Sequence, residues 1–132
     1  MIKKLTMFFC FSFLLVSCNK LKNTELNDNP YDRDYTGEKV VHITNVITHV
    51  YSSSRTNEVT VSSEIENYST ITIYRNGVFL KTINRIYHGP LPCIESIIDT
   101  NPISGITYTY QAQLGYDSGT TSLSDGYSHT TL

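Results

Sequence analysis

Thr70-Ile71-Thr72-Ile73-Tyr74-Arg75-Asn76-Gly77-Val78-Phe79-Leu80-Lys81-Thr82-Ile83 is the stretch on which the fold turns. Its first half alternates apolar and polar side chains, so one face of an extended chain enters a core while the other meets water. An apolar run resumes immediately after Asn76-Gly77. That dipeptide supplies the two positive-φ residues of a type I′ turn, and the whole segment therefore reads as an antiparallel hairpin.

The same period of two recurs on both sides of the hairpin. Val41-His42-Ile43-Thr44-Asn45-Val46-Ile47-Thr48 forms a first expected strand, interrupted by a kink at Asn45. Glu58 to Ile65 places Val59, Val61 and Ile65 on one face and Glu58, Thr60 and Glu64 on the other. Thr107 to Leu114 gathers Tyr108, Tyr110, Ala112 and Leu114 opposite Thr and Gln. A last strand from Thr120 to Ser124 or beyond follows the Asp117-Ser118-Gly119 turn. No stretch after the N-terminal segment has helical periodicity. About seven short strands separated by turn residues imply an all-β, immunoglobulin-like antiparallel sandwich.

The order of these motifs resembles a fibronectin type III domain from about Val40 to Thr131. Three segments carry the resemblance: Ile71 to Gly77 as strand C and its turn, Ile98-Asp99-Thr100-Asn101 as the exit of strand E, and Gly105 to Tyr110 with Tyr116 to Gly119 as strand F and the F–G turn. The resemblance puts Tyr108 at the tyrosine corner, where a ring is buried under a crossover and its hydroxyl bonds a backbone group. It also puts Ser63 where the family usually carries a core Trp, and the chain contains no Trp. Four of the five Phe, namely Phe8, Phe9, Phe11 and Phe13, fall in the N-terminal segment, which leaves Phe79. Ile, Val and Tyr must fill the core.

The N-terminal segment has its own signature. Lys3 and Lys4 precede an apolar run from Leu5 to Val16, which ends in Leu15-Val16-Ser17-Cys18. About twelve apolar residues are too few to span a bilayer as a helix, and the basic flank fits an export signal. The segment resembles a bacterial lipoprotein signal with its lipobox. The resemblance implies cleavage before Cys18, a thioether-linked diacylglycerol on its sulfur and a further acyl chain, such as palmitate, on its amine. Acyl chains contribute about 0.8 kcal/mol per buried CH₂, enough in pairs to hold a protein on a membrane. The alternative is an ordinary cleaved signal with an incidental Cys18. Expected organisation is thus signal peptide 1–17, lipidated Cys and flexible tether 18–38, and sandwich 39–132. Some twenty polar residues of tether reach roughly 25 Å. The expected location is the cell envelope; Asn19 beside Cys18 favours the outer over the inner membrane in a Gram-negative host, with the leaflet open.

Composition excludes several functions. Without residues 1–17, eight Lys and Arg stand against twelve Asp and Glu, a formal charge of −4 with no basic cluster, so a nucleic-acid partner is not expected. With Cys18 acylated, Cys93 is left as the sole mature thiol, either a small buried hydrophobe or a site of intermolecular pairing. His42, His49, His88 and His129 are scattered without zinc spacing. His88 and Cys93 lie close in sequence, but Gly89, Pro90 and Pro92 suit a rigid crossover better than a catalytic pair. Asn27 to Asp34 is rich in side-chain oxygens yet lacks the glycine and terminal Glu of a calcium loop. Asn67-Tyr68-Ser69 matches a glycosylation acceptor, an accidental match in a bacterium. Neither catalytic residues, metal ligands nor a cofactor are expected.

Two functional classes remain. The first is a non-catalytic binding or adhesion module for a glycan or protein, using loops and the tyrosines Tyr31, Tyr51, Tyr68, Tyr87, Tyr116 and Tyr127. The second is a structural accessory of a larger envelope complex, joined through an open strand edge.

Overall fold

A computed structural model describes residues 29–33, 35, 37–86 and 88–132. Cys18 and the rest of 1–28 lie outside the described residues, as do Asp34, Thr36 and Tyr87. The strands are β1 (Val41–Val50), β2 (Arg55–Ser63), β3 (Thr70–Arg75), β4 (Val78–Asn84), β5 (Cys93–Asp99), β6 (Thr107–Tyr116), β7 (Gly119–Thr120) and β8 (Tyr127–Thr130). They form two antiparallel sheets. One has the order β1-β2-β5; the other runs β4-β3-β6, with β7 and β8 both pairing with β6. No helix occurs among the described residues, and the all-β sandwich expected from the sequence is the observed fold.

The hairpin is built as its sequence dictates. Asn76 and Gly77 have φ of 53° and 74°, and Arg75 pairs with Val78 across the turn. The inner faces close on Val41, Ile43, Val46, Val59, Val61 and Ile97 from one sheet and Ile71, Ile73, Tyr108, Tyr110, Ala112 and Leu114 from the other. Each of the Val, Ile and Leu side chains among them contributes about 1.5–3 kcal/mol on full burial. Phe79 stays outside at 61% exposure, so the core is indeed aliphatic and tyrosine.

Register shifts explain where strict alternation fails. Thr44 is an extra residue between the pairs Ile43↔Val61 and Asn45↔Thr60, a bulge that keeps both Ile43 and Val46 facing inward. β2 ends at Ser63, two residues before the expected limit. The buried Ser63 hydroxyl donates to the Ile65 carbonyl at 2.7 Å and accepts from the Ile65 amide at 3.1 Å, which turns the chain. Ile65 therefore packs against the core from beyond the strand.

The final strand differs most from expectation. Only Gly119–Thr120 and Tyr127–Thr130 are strand, with Thr121 to Gly126 between them. In this interval, side-chain oxygens replace main-chain carbonyls as acceptors for β6. The Leu114 amide donates to Thr121 Oγ1 (3.1 Å) and the Ala112 amide to Ser124 Oγ (2.9 Å). The amides of Thr121 and Ser124 still donate to the carbonyls of Leu114 and Ala112. Ser122 and Leu123 are thereby looped out of the ladder between two fixed points, with Leu123 exposed and Ser122 buried.

Candidate functional site

The looped-out segment forms one wall of an open groove of about 720 Å³ on the outer face of the β3–β6 sheet. Along β6 the apolar side chains point inward, so Gln111 and Gln113 point out and provide the floor. Tyr74 stands beside them because it pairs with Gln111 in the ladder. The opposite wall comes from the segment leading into β1, with Arg33, Tyr35 and Lys39.

Internal hydrogen bonds fix the floor. Gln113 Nε2 donates to the Thr121 carbonyl (2.7 Å) and to Thr120 Oγ1 (3.2 Å), leaving Oε1 to accept from the Tyr74 hydroxyl (3.1 Å). Gln111 Nε2 donates to the Ser124 carbonyl (3.1 Å). Phe79 sets its ring at right angles to Tyr74 with centroids 6.5 Å apart, extending the aromatic surface. Lys39 Nζ ties the two walls by donating to the Tyr35 carbonyl (3.1 Å) and to Ser122 Oγ (3.2 Å). In a neighbouring cleft that shares only Arg33 with the groove, the Asn29 side chain accepts from the Tyr31 amide (3.1 Å), and Tyr31 packs edge-on against Tyr116 at 5.7 Å. Burial, aided by the charge of Asp32, raises the Tyr116 phenol above its ordinary value. Amides, hydroxyls, phenols and two cations on a firm floor can bind by hydrogen bonding and stacking.

A second polar cluster is buried between the sheets. Arg75 Nη1 lies 2.8 Å from Asp99 Oδ2, and its guanidinium sits over the Tyr108 ring at 4.7 Å. The Tyr110 hydroxyl donates to the same carboxylate oxygen (2.8 Å) and accepts from Asn57 Nδ2 (2.9 Å). Asn57 also donates to Thr131 Oγ1 (2.9 Å) and accepts from Thr48 Oγ1 (2.8 Å), which shares a hydrogen bond with His129 Nε2 (2.8 Å). Burial pushes the Tyr110 phenol far up, with Asp99 adding to the shift and Asn57 opposing it. Such a satisfied network fixes how the sheets sit on one another.

The residues singled out in the sequence fall in different places. Cys18 lies outside the described residues. The Tyr108 hydroxyl accepts from the Ile103 amide at 3.1 Å, within the connection from β5 to β6. Cys93 is buried, 3.6 Å from Arg85 Nη2, while His88 is exposed. The expected tyrosine contact surface does not form as a unit. Tyr68 is buried at 4% exposure beneath the Arg85 guanidinium, 4.9 Å from its ring centre, and Tyr127 packs on the core. Tyr51 is exposed, away from the Tyr31–Tyr116 pair, and Tyr87 is outside the described residues. Tyr74, Gln111, Gln113 and Lys39 were not marked by any motif. For Tyr74, Gln111 and Gln113 the signal was the outward phase of their alternating strands; Lys39, ahead of β1, had none.

Compared with protein-family models, with curated proteins and with solved structures, the chain matches none.

Proposed function

We propose that this is a bacterial lipoprotein, held in the cell envelope by acyl chains on Cys18, whose sandwich binds a glycan or an envelope protein without catalysing a reaction. The fibronectin type III-like reading is part of the proposal. It is supported by a three-strand sheet facing β4-β3-β6 with β7 and β8, and by the Tyr108 hydroxyl reaching the Ile103 amide. The anchor reading rests on the Lys3 to Cys18 pattern.

The groove carries the binding reading. Its floor is made of neutral amides held by short bonds to backbone, and one of its walls is a departure from regular pairing. Pre-organised polar groups beside aromatic rings are what ligand sites use to orient a bound molecule. Bulges cluster at such places because they re-aim side chains.

Two arms test the proposal. Cys18→Ser is expected to move the protein from the membrane to the soluble envelope fraction with its circular dichroism unchanged; equal retention on membranes sinks the anchor. The full chain on a glycan array and in envelope-lysate capture is expected to retain a ligand, and Tyr74→Ala to lose it. A ligand held equally by Tyr74→Ala moves the binding surface elsewhere.

A further inference from the structure

We infer that the groove takes an acidic saccharide, with a sugar carboxylate meeting Lys39 and Arg33 while the ring lies along Tyr74. This rests on the binding reading above and narrows its ligand class. Lys39 is half-buried, and both of its bonded partners, the Tyr35 carbonyl and Ser122 Oγ, are neutral. Among the described residues, no carboxylate lies within ion-pairing distance of Lys39 or Arg33. Two cations and one acid, Asp125, line this side, whereas Glu38 and Glu64 line a separate cleft on the other side of Lys39.

A partly buried ammonium bonded only to neutral oxygens has no opposite charge beside it, and an anion brought to it adds an attraction that the surrounding protein screens less than water does. The rest of the lining selects the body of that anion. The Tyr74 ring offers an apolar face to the C–H side of a pyranose, and the partly exposed Gln111 beside it offers an amide to sugar hydroxyls. The volume of about 720 Å³ falls in the roughly 300–1,000 Å³ of small-ligand sites, so a short stretch of sugar units fits.

The test compares a uronic-acid trisaccharide with its carboxyl-reduced neutral counterpart, titrated by calorimetry into the full chain in detergent. The acidic sugar should bind more tightly by roughly tenfold or more, the scale of one charge-assisted hydrogen bond, and the difference should shrink as salt rises. Arg33→Gln, at an exposed position, and Lys39→Met should each reduce that preference, while Lys39→Arg keeps it. Equal binding of the two sugars overturns the acidic assignment and leaves a neutral-glycan site. Binding of neither sugar up to millimolar concentration overturns the assignment together with the glycan reading.

Discussion

A single hydroxyl separates two ways of ending the β5–β6 connection. Tyr108 is 6% exposed and its oxygen is the acceptor for the Ile103 amide. Replacing Tyr108 by Phe keeps the ring and removes this part-buried bond, a cost of about 1 kcal/mol. We expect a correspondingly lower midpoint in urea denaturation; an unchanged curve rejects a capping role for this tyrosine. Asp99 shows the same logic with a charge. It is 2% exposed, and Arg75 and Tyr110 both donate to it; a buried charge deprived of such partners costs several kcal/mol. Glu95 is also turned inward, accepting from the Ile86 amide at 2.9 Å. Both acids belong to β5, which among the described residues pairs on one side only, and inward charges on an edge strand discourage a foreign strand from docking there.

Among elements, the Thr121 to Gly126 interval most clearly joins fold to groove. Thr121 is fully buried, and its hydroxyl both accepts from the Leu114 amide and donates to the Ser122 carbonyl. Thr121→Val preserves shape and removes both bonds. The expected outcome is a loss of about 1–3 kcal/mol, seen in a thermal melt as roughly 4–8 °C per kcal/mol, with weaker ligand retention because Ser122 is released. A variant that melts and binds like the parent rejects the idea that this hydroxyl shapes the wall. The hairpin and the inward phase of β6 were legible in the sequence because Asn76-Gly77 and the Tyr108-Tyr110-Ala112-Leu114 series obey local rules. The interrupted last strand was not, since a Thr or Ser hydroxyl imitates a carbonyl only once register has placed it opposite the right amide. The groove was hidden for the same reason: Lys39 and Ser122 are 83 positions apart and meet only in the folded chain.

At the scale of the whole molecule, tyrosine in place of larger aromatic cores makes stability sensitive to alkali. Burial raises the Tyr68 phenol to about 12, with nearby Cys93 and Glu95 adding to the shift, and raises Tyr110 further. Both are protonated when folded but ionise near pH 10 when unfolded. Their contribution is fully present below pH 10 and is lost as pH rises through the folded values, so unfolding becomes easier between pH 10 and 12 by on the order of 1 kcal/mol per pH unit for each group. Melting temperatures should stay level up to about pH 10 as far as these groups are concerned and then drop, less steeply in Tyr68→Phe; a flat profile to pH 12 contradicts the burial of these phenols. The inter-sheet polar cluster joins residues far apart in the chain. Asn57 and Asp99 leave the ribosome before Thr131 and His129 exist, and a half-satisfied cluster opposes closing a dry interior around it. A chain that still lacks β8 is therefore discouraged from closing its two sheets on each other.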